Sequence, residues 1–177
     1  KLGVRGSKLA LAYADKVVHK LESPTPLEIV PIKTTADIHE DKAIQDMGGK
    51  GVFVTEIEQR LLDKSIDIAV HSFKDLPAEM DKDLEIIAVL ERNDPRDCYV
   101  GKLHPHARVG TGSPRRIAQL KENFNVEFDI KPIRGNIDTR LKKLDNDEYD
   151  AVIFAVAGLE ALQLQKRIQK ILPFDKM

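Results

Sequence analysis

The sequence predicts an α/β fold of two lobes, each a mixed, largely parallel sheet with crossover helices. Short apolar runs alternate with helix-periodic segments along the whole chain, which is the pattern of βαβ units. The polar, proline-marked stretch Arg92-Asn93-Asp94-Pro95-Arg96-Asp97 interrupts that alternation near the middle. It divides the chain into a first domain over 1–92, a hinge over 93–97 and a second domain over 98–177.

Ala10, Ala14, Val17 and Leu21 recur at helical spacing and predict a first helix after Ser7. Leu27 to Lys33 reads as a strand, with Pro24, Pro26 and Pro31 blurring its edges. Residues 34–51 show no period, include Gly48-Gly49-Lys50-Gly51 and read as a long loop. Phe53, Ile57 and Leu61 define a second helix, followed by strands at 66–71 and 84–90. In the second half, strands are expected at 98–100, 107–109, 126–133 and 151–156. The helices between and after them are expected at 114–123, 137–145 and 158–171, with no closing strand beyond.

The 177 residues are 42% hydrophobic and 32% charged, with a net charge of −1. This near-neutral balance argues against a dedicated nucleic-acid or membrane-surface protein, so an anion site must come from local clustering of cations. A lone cysteine, Cys98, excludes an internal disulfide and points to the cytoplasm. No apolar run reaches the ~18 residues of a membrane span.

The predicted strand ends carry the chemistry. Open α/β sheets bind ligands at the carboxyl ends of their strands. Here those ends lead into Arg5-Gly6-Ser7-Lys8, His71-Ser72-Phe73-Lys74-Asp75, Gly110 to Arg116, Arg134 to Arg140 and Ala157-Gly158-Leu159. Ser7 and Ser113 suit helix N-caps, and Pro114 suits a first helical position. Helix N-termini favour anions, and arginines clamp carboxylate or phosphate. Arg5, Arg115, Arg116, Arg134 and Arg140, with Lys50 and Lys74 on other turns, therefore favour a shared polyanion site. Each charge-assisted hydrogen bond contributes roughly 1.5–3 kcal/mol. Gly48-Gly49-Lys50-Gly51 lacks the Walker spacing, and Gly110-Thr111-Gly112 lacks the third glycine of the dinucleotide fingerprint. A compact molecule with several carboxylates fits better.

Asp75 is an acid among these bases, and a nearby cation is expected to hold it ionised. Such a carboxylate can stabilise a cationic transition state and exchange protons with a ring nitrogen. His71 reads as a packed or turn-bonding histidine, and His104 and His106 as solvated.

Taken in order, these blocks resemble the porphobilinogen deaminase (hydroxymethylbilane synthase) family. The matching segments include Arg5 to Ala10, Gly49 to Phe53, Ile68 to Pro77, Asp94 to Asp97, Gly110 to Arg116, Arg134-Gly135-Asn136 with Thr139-Arg140, and Ala155 to Leu159. The resemblance implies a lobed fold similar to type II periplasmic binding proteins. It implies a cytoplasmic, monomeric transferase that joins four porphobilinogen units into hydroxymethylbilane, releasing ammonia and priming on a covalent dipyrromethane cofactor. By the same resemblance Asp75 is the catalytic carboxylate. Arg5, Ser7, Lys50, Ser72, Lys74, Thr111, Ser113, Arg115, Arg116, Arg134, Arg140 and Gly158 bind the cofactor and the acetate and propionate groups of the substrate. The family's third, C-terminal domain, with the cysteine that anchors the cofactor, is expected to be absent from this chain. Cys98 is expected to be a buried strand residue and not that anchor. The competing class is a non-catalytic solute-binding or effector-sensing module for carboxylated ligands, or an inactive fragment of the enzyme.

Overall fold

The structure, a computed structural model, describes residues 1–38 and 54–176. It divides into two compact units, Lys1–Glu91 and Arg92–Met177.

In the first unit, β1 (Leu2–Arg5) lies between β2 (Ile29–Ile32) and β3 (Ile68–Ala69), and both pairings are parallel. The helix α1 (Lys8–Leu21) makes the crossover from β1 to β2. Ala14 is buried against Leu2 and Val4, with Ala10 and Val17 packed beside it. These are the residues whose spacing predicts the helix. Leu21, the last of that series, is 44% exposed because it closes the final turn beyond the sheet. A single helical turn, α2 (Thr35–Ile38), opens the stretch read as structureless. The remainder of that loop, with Gly48 to Gly51, lies outside the described residues, as does Phe53. The second predicted helix is α3 (Thr55–Leu62), which buries Ile57 with Ile32 and Ile66. Gly3 lies beneath this cluster: a Cβ there would stand 2.3 Å from Ile66 Cδ1 and 3.1 Å from Ile32 Cδ1, so a larger residue would have to displace those side chains.

The sequence expectation fails at residues 84–90. Among the described residues no strand forms there, and Ile86, Ile87, Val89 and Leu90 are exposed. An apolar β-prone run becomes a strand only when another strand completes its hydrogen bonds. The strand expected at 66–71 shortens to Ile68–Ala69 for the same reason: that is the length over which β1 pairs with it.

The second unit is a five-stranded sheet in the order β6-β5-β7-β4-β8. Its strands are β4 (Asp97–Gly101), β5 (Arg108–Gly110), β6 (Asp129–Lys131), β7 (Ala151–Ala155) and β8 (Lys170–Ile171). β5 runs parallel to β6 and β7, whereas β4 runs antiparallel to β7 and β8. Side chains alternate between the faces of a strand. Val152 and Phe154 therefore enter one core, beneath Leu141 and Leu144 of α5 (Ile137–Asp145) and Leu159 of α6 (Val156–Ala161). Ile153 enters the other, beneath Leu120 of α4 (Pro114–Asn123). Burial on both faces is why the β7 sequence is a continuous apolar run.

The helix expected over 158–171 is corrected. α6 covers only Val156–Ala161, Gln163 turns at φ 57°, and a 3-10 turn at Gln165–Arg167 leads into β8. A closing strand therefore exists: Lys170 and Ile171 pair with Tyr99 and Cys98. Gly158 lies buried inside the first turn of α6 and not in a loop before it.

Candidate functional site

Parallel strands bring their carboxyl ends to one sheet edge, and each unit collects polar residues there. In the first unit the edge carries Arg5 and Ser7 after β1, Thr34 after β2, and His71 to Asp75 after β3. Ser7 caps α1, its hydroxyl accepting from Ala10 N at 3.3 Å. Arg5 donates through Nε to Asp37 Oδ1 at 3.2 Å and through Nη2 to the same oxygen at 2.5 Å. Thr34 donates to Asp37 from its backbone N at 3.1 Å and its hydroxyl at 2.9 Å. Burial raises the Asp37 carboxyl, but Arg5 and Thr34 together outweigh it and hold the group below its ordinary value.

Asp75 closes a 3-10 turn over Phe73–Asp75, its N–H donating to Ser72 O at 2.9 Å. Burial pushes its carboxyl above the ordinary value, and the charges of Lys74 and Arg5 only partly offset that. The expectation puts the nearby cations first, whereas burial is the larger influence on this carboxyl. The carboxyl holds a proton more readily than a solvated aspartate, as suits a group that gives a proton and takes it back. His71 is half-buried; burial favours its neutral form, and among the described residues its buried Nε2 has no hydrogen-bond partner. Ser72 is half-buried and Lys74 exposed. Lys50 lies outside the described residues.

In the second unit the edge combines the carboxyl ends of β5, β6 and β7 with the start of the antiparallel β4. Asp97, the first residue of β4, stands opposite Ala155, the last of β7. Ser113 caps α4 and accepts from Arg116 N at 3.5 Å, with Pro114 as the first helical residue. Thr111 is buried, its hydroxyl accepting from Ser113 N at 3.3 Å. The two arginines that follow share one carboxylate. Arg115 Nη2 donates to Asp97 Oδ2 and Arg116 Nη2 to Asp97 Oδ1, each at 2.7 Å. Arg115 also donates to Gln119 Oε1 at 2.6 Å, and Arg116 to the Ile153 carbonyl at 3.1 Å.

Gly135 has a φ of 97°, and a Cβ on it would stand 2.7 Å from Thr139 Cγ2. Glycine is therefore required for the turn that carries Arg134 into α5. Arg140 reaches back to the Gly135 carbonyl at 2.8 Å. Burial first, then the like charges of Arg116 and Arg134, lowers the proton affinity of Arg140. The Arg116 and Arg134 guanidiniums therefore lie near enough to Arg140 for their charges to act on it, and an anion there would relieve that repulsion. Arg116 Nε adds a buried donor that has no partner among the described residues.

Sequence reasoning singles out Arg5, Arg115, Arg116, Arg134 and Arg140 but misses the acids that hold the first three. Asp37 fell in the aperiodic stretch, and Asp97 was read as hinge. Cys98 is buried in β4 as expected, and burial followed by the Asp97 charge pushes its thiol up to about 12. His104 and His106 are exposed. Among the described residues no group of histidine, cysteine and acidic side chains could hold a metal ion, and no helix is long and apolar enough to cross a membrane.

The sequence profile described as porphobilinogen deaminase, dipyromethane cofactor binding domain, matches residues 1–177. Curated porphobilinogen deaminases align along almost all of the chain. That of Syntrophus aciditrophicus is 42% identical over 187 residues, covering 100% of this chain and 61% of the relative. That of Caldicellulosiruptor saccharolyticus is 43% identical over 186 residues, covering 100% and 64%. That of Syntrophomonas wolfei is 46% identical over 183 residues, covering 98% and 60%. The chain belongs to the porphobilinogen deaminase family. It spans about three-fifths of the length of these relatives.

Proposed function

We propose that this chain carries the catalytic carboxylate and the cofactor-binding arginines of a hydroxymethylbilane synthase. The enzyme condenses four porphobilinogen molecules with loss of ammonia, in tetrapyrrole biosynthesis. The observation that carries the reading is the place of Asp75: a half-buried carboxyl in the turn after β3, near Lys74 and Arg5, where burial shifts its proton affinity upward. As the C–N bond of the substrate's aminomethyl group breaks, Asp75 gives its proton to the departing ammonia. The resulting carboxylate then stabilises the cation left on the methylene and accepts a proton later.

The dipyrromethane cofactor suits the donor set. It carries carboxylates, and Arg116 offers a buried, unpartnered Nε beside the charges of Arg134 and Arg140. Arg115, Arg116, Arg134 and Arg140 would hold its acetate and propionate groups, with Thr111, Ser113 and Gly158 shaping the backbone around them. Arg5, Ser7, Lys50, Ser72 and Lys74 would serve the chain end and the incoming substrate. When bound, the cofactor supplies the pyrrole terminus on which the product is built.

The family resemblance supports two finer readings: lobes like those of type II periplasmic binding proteins, and a cofactor-anchoring cysteine in a further C-terminal domain. Burial of Cys98 is in keeping with an anchor elsewhere. We also read the enzyme as a cytoplasmic monomer with no nucleic-acid or membrane partner. The test is ammonia release from porphobilinogen by the full-length protein, together with the intact mass of the denatured protein. Stoichiometric ammonia and a covalent pyrrole adduct are expected. Binding of porphobilinogen without ammonia release would favour a non-catalytic module.

A further inference from the structure

We propose that Asp97 is a positioning residue: from β4 it orients Arg115 and Arg116 so that ligand carboxylates meet guanidiniums already set in place. The inference rests on the reading of this edge as a site for carboxylated pyrroles.

The Asp97 side chain is only 3% exposed. A buried carboxylate is costly unless its oxygens are answered by charge and hydrogen bonds. Here each oxygen serves a different arginine at the same 2.7 Å distance. The backbone beneath it is fixed on both sides. β4 pairs with β7 from Asp97 onward, and Leu172 N donates to Asp97 O at 2.8 Å.

Arg116 has a second anchor in the Ile153 carbonyl. All five donors of a guanidinium lie in one plane, so two anchors on Nη1 and Nη2 fix that plane. The donor left buried and unsatisfied is Nε. A ligand oxygen reaching Nε would find it oriented before binding, and this spares the ordering cost of a long side chain. Arg115 is 55% exposed and has Gln119 as its other partner, so its orientation depends more heavily on Asp97.

Charge alone predicts the opposite effect. Asp97 places a negative charge beside a site for anions, so its removal should strengthen anion binding if only its field mattered. Asp97→Asn keeps the shape but offers one acceptor oxygen where two were used, and it turns an amide donor toward a guanidinium. One arginine is then released.

The experiment compares full-length wild-type protein with Asp97→Asn and Asp97→Glu. Succinate, a small dicarboxylate, serves as a calorimetric probe at low ionic strength. Arginine Nε–Hε resonances report guanidinium order, and KM and kcat are measured for porphobilinogen. Asp97→Asn is expected to weaken succinate binding about tenfold and to shift or broaden the Arg116 Nε–Hε signal. It should raise KM more than it lowers kcat. Asp97→Glu, with the charge kept but moved by one methylene, should fall between the two. Equal or tighter succinate binding by Asp97→Asn with an unmoved Arg116 signal overturns the proposal. So does wild-type protein that fails to bind succinate. If Asp97→Asn does not fold, Asp97→Glu decides alone: unchanged succinate affinity overturns the proposal. Wild-type protein that binds succinate with the expected variant effects, yet releases no ammonia from porphobilinogen, refutes the enzymatic reading and leaves the positioning role standing.

Discussion

Cys98 stands opposite Ile171 in the antiparallel β4–β8 ladder, and both side chains enter the same core cluster. The strand β8 therefore shields the only thiol of the chain. Burial, then the adjacent Asp97 charge, pushes that thiol up to about 12, so the nucleophilic thiolate is scarce at neutral pH. Folded protein at pH 8 should leave Cys98 unlabelled by a chromogenic disulfide reagent, with full reaction in denaturant. Ile171→Ala should cost about 2 kcal/mol, the low end for such truncations because the site is half-buried, and should speed labelling. Rapid labelling of the native wild type would contradict the sealed environment.

If Asp75 has the proposed role, one substitution there changes both activity and stability. Its folded-state carboxyl is raised by burial, which Lys74 and Arg5 offset only in part. A raised acid contributes stability that is present below its unfolded value and is lost as pH rises through the folded value. Asp75→Asn removes that penalty, so the variant should gain on wild type in chemical denaturation as pH rises above the ordinary aspartate value. Its turnover of porphobilinogen should fall by orders of magnitude. A variant with no stability gain as pH rises would refute the buried-acid description, and near-normal turnover would remove Asp75 from the chemistry.

Gly135→Ala should destabilise the second unit by roughly 1–3 kcal/mol, because it forces a positive φ on a residue with a Cβ and crowds Thr139. The same change displaces the turn carrying Arg134 and the carbonyl that Arg140 uses. Cofactor loading, read as intact mass, should drop more steeply than the thermal midpoint suggests. Full loading would separate the turn from the site.

Asp150 ties β5 to the start of β7. It accepts from Arg108 N at 2.7 Å and from Arg108 Nη2 at 2.8 Å. Those bonds hold its carboxyl down at about 2. The stabilisation is present above the unfolded aspartate value near 4 and is lost as pH falls toward 2. Both partners are partly solvated, so Asp150→Asn should cost about 1 kcal/mol or less at pH 7. The difference from wild type should shrink steadily as pH falls from 4 toward about 2; a constant difference across that range would point to packing instead.

Local signals were read correctly where the physics is local. Ser113-Pro114 marks the start of α4, and Ile137, Leu141 and Leu144 set the period of α5, so both helices have the predicted bounds. The arginines stand out in the sequence because they cluster at strand ends, although Arg5, Arg115 and Arg116 also make ion pairs within the fold. Asp97 does not, because its partner Arg115 lies 18 residues further along and is reached only through the sheet order. The proton affinity of Asp75 depends on burial, which adjacent residues in the sequence do not reveal. β8 was hidden by its length, since Lys170–Ile171 is too short to show a period.

The uncovered stretch at residues 84–90 has a colloidal consequence. Ile87 and Val89 are 69% and 71% exposed, within a run that joins no strand among the described residues and is flanked by Glu85, Glu91 and Arg92. Such a run is a template for intermolecular strand addition, and flanking charges are what hold copies apart. Light scattering by this polypeptide should therefore climb with protein concentration, and climb faster once salt screens those gatekeepers.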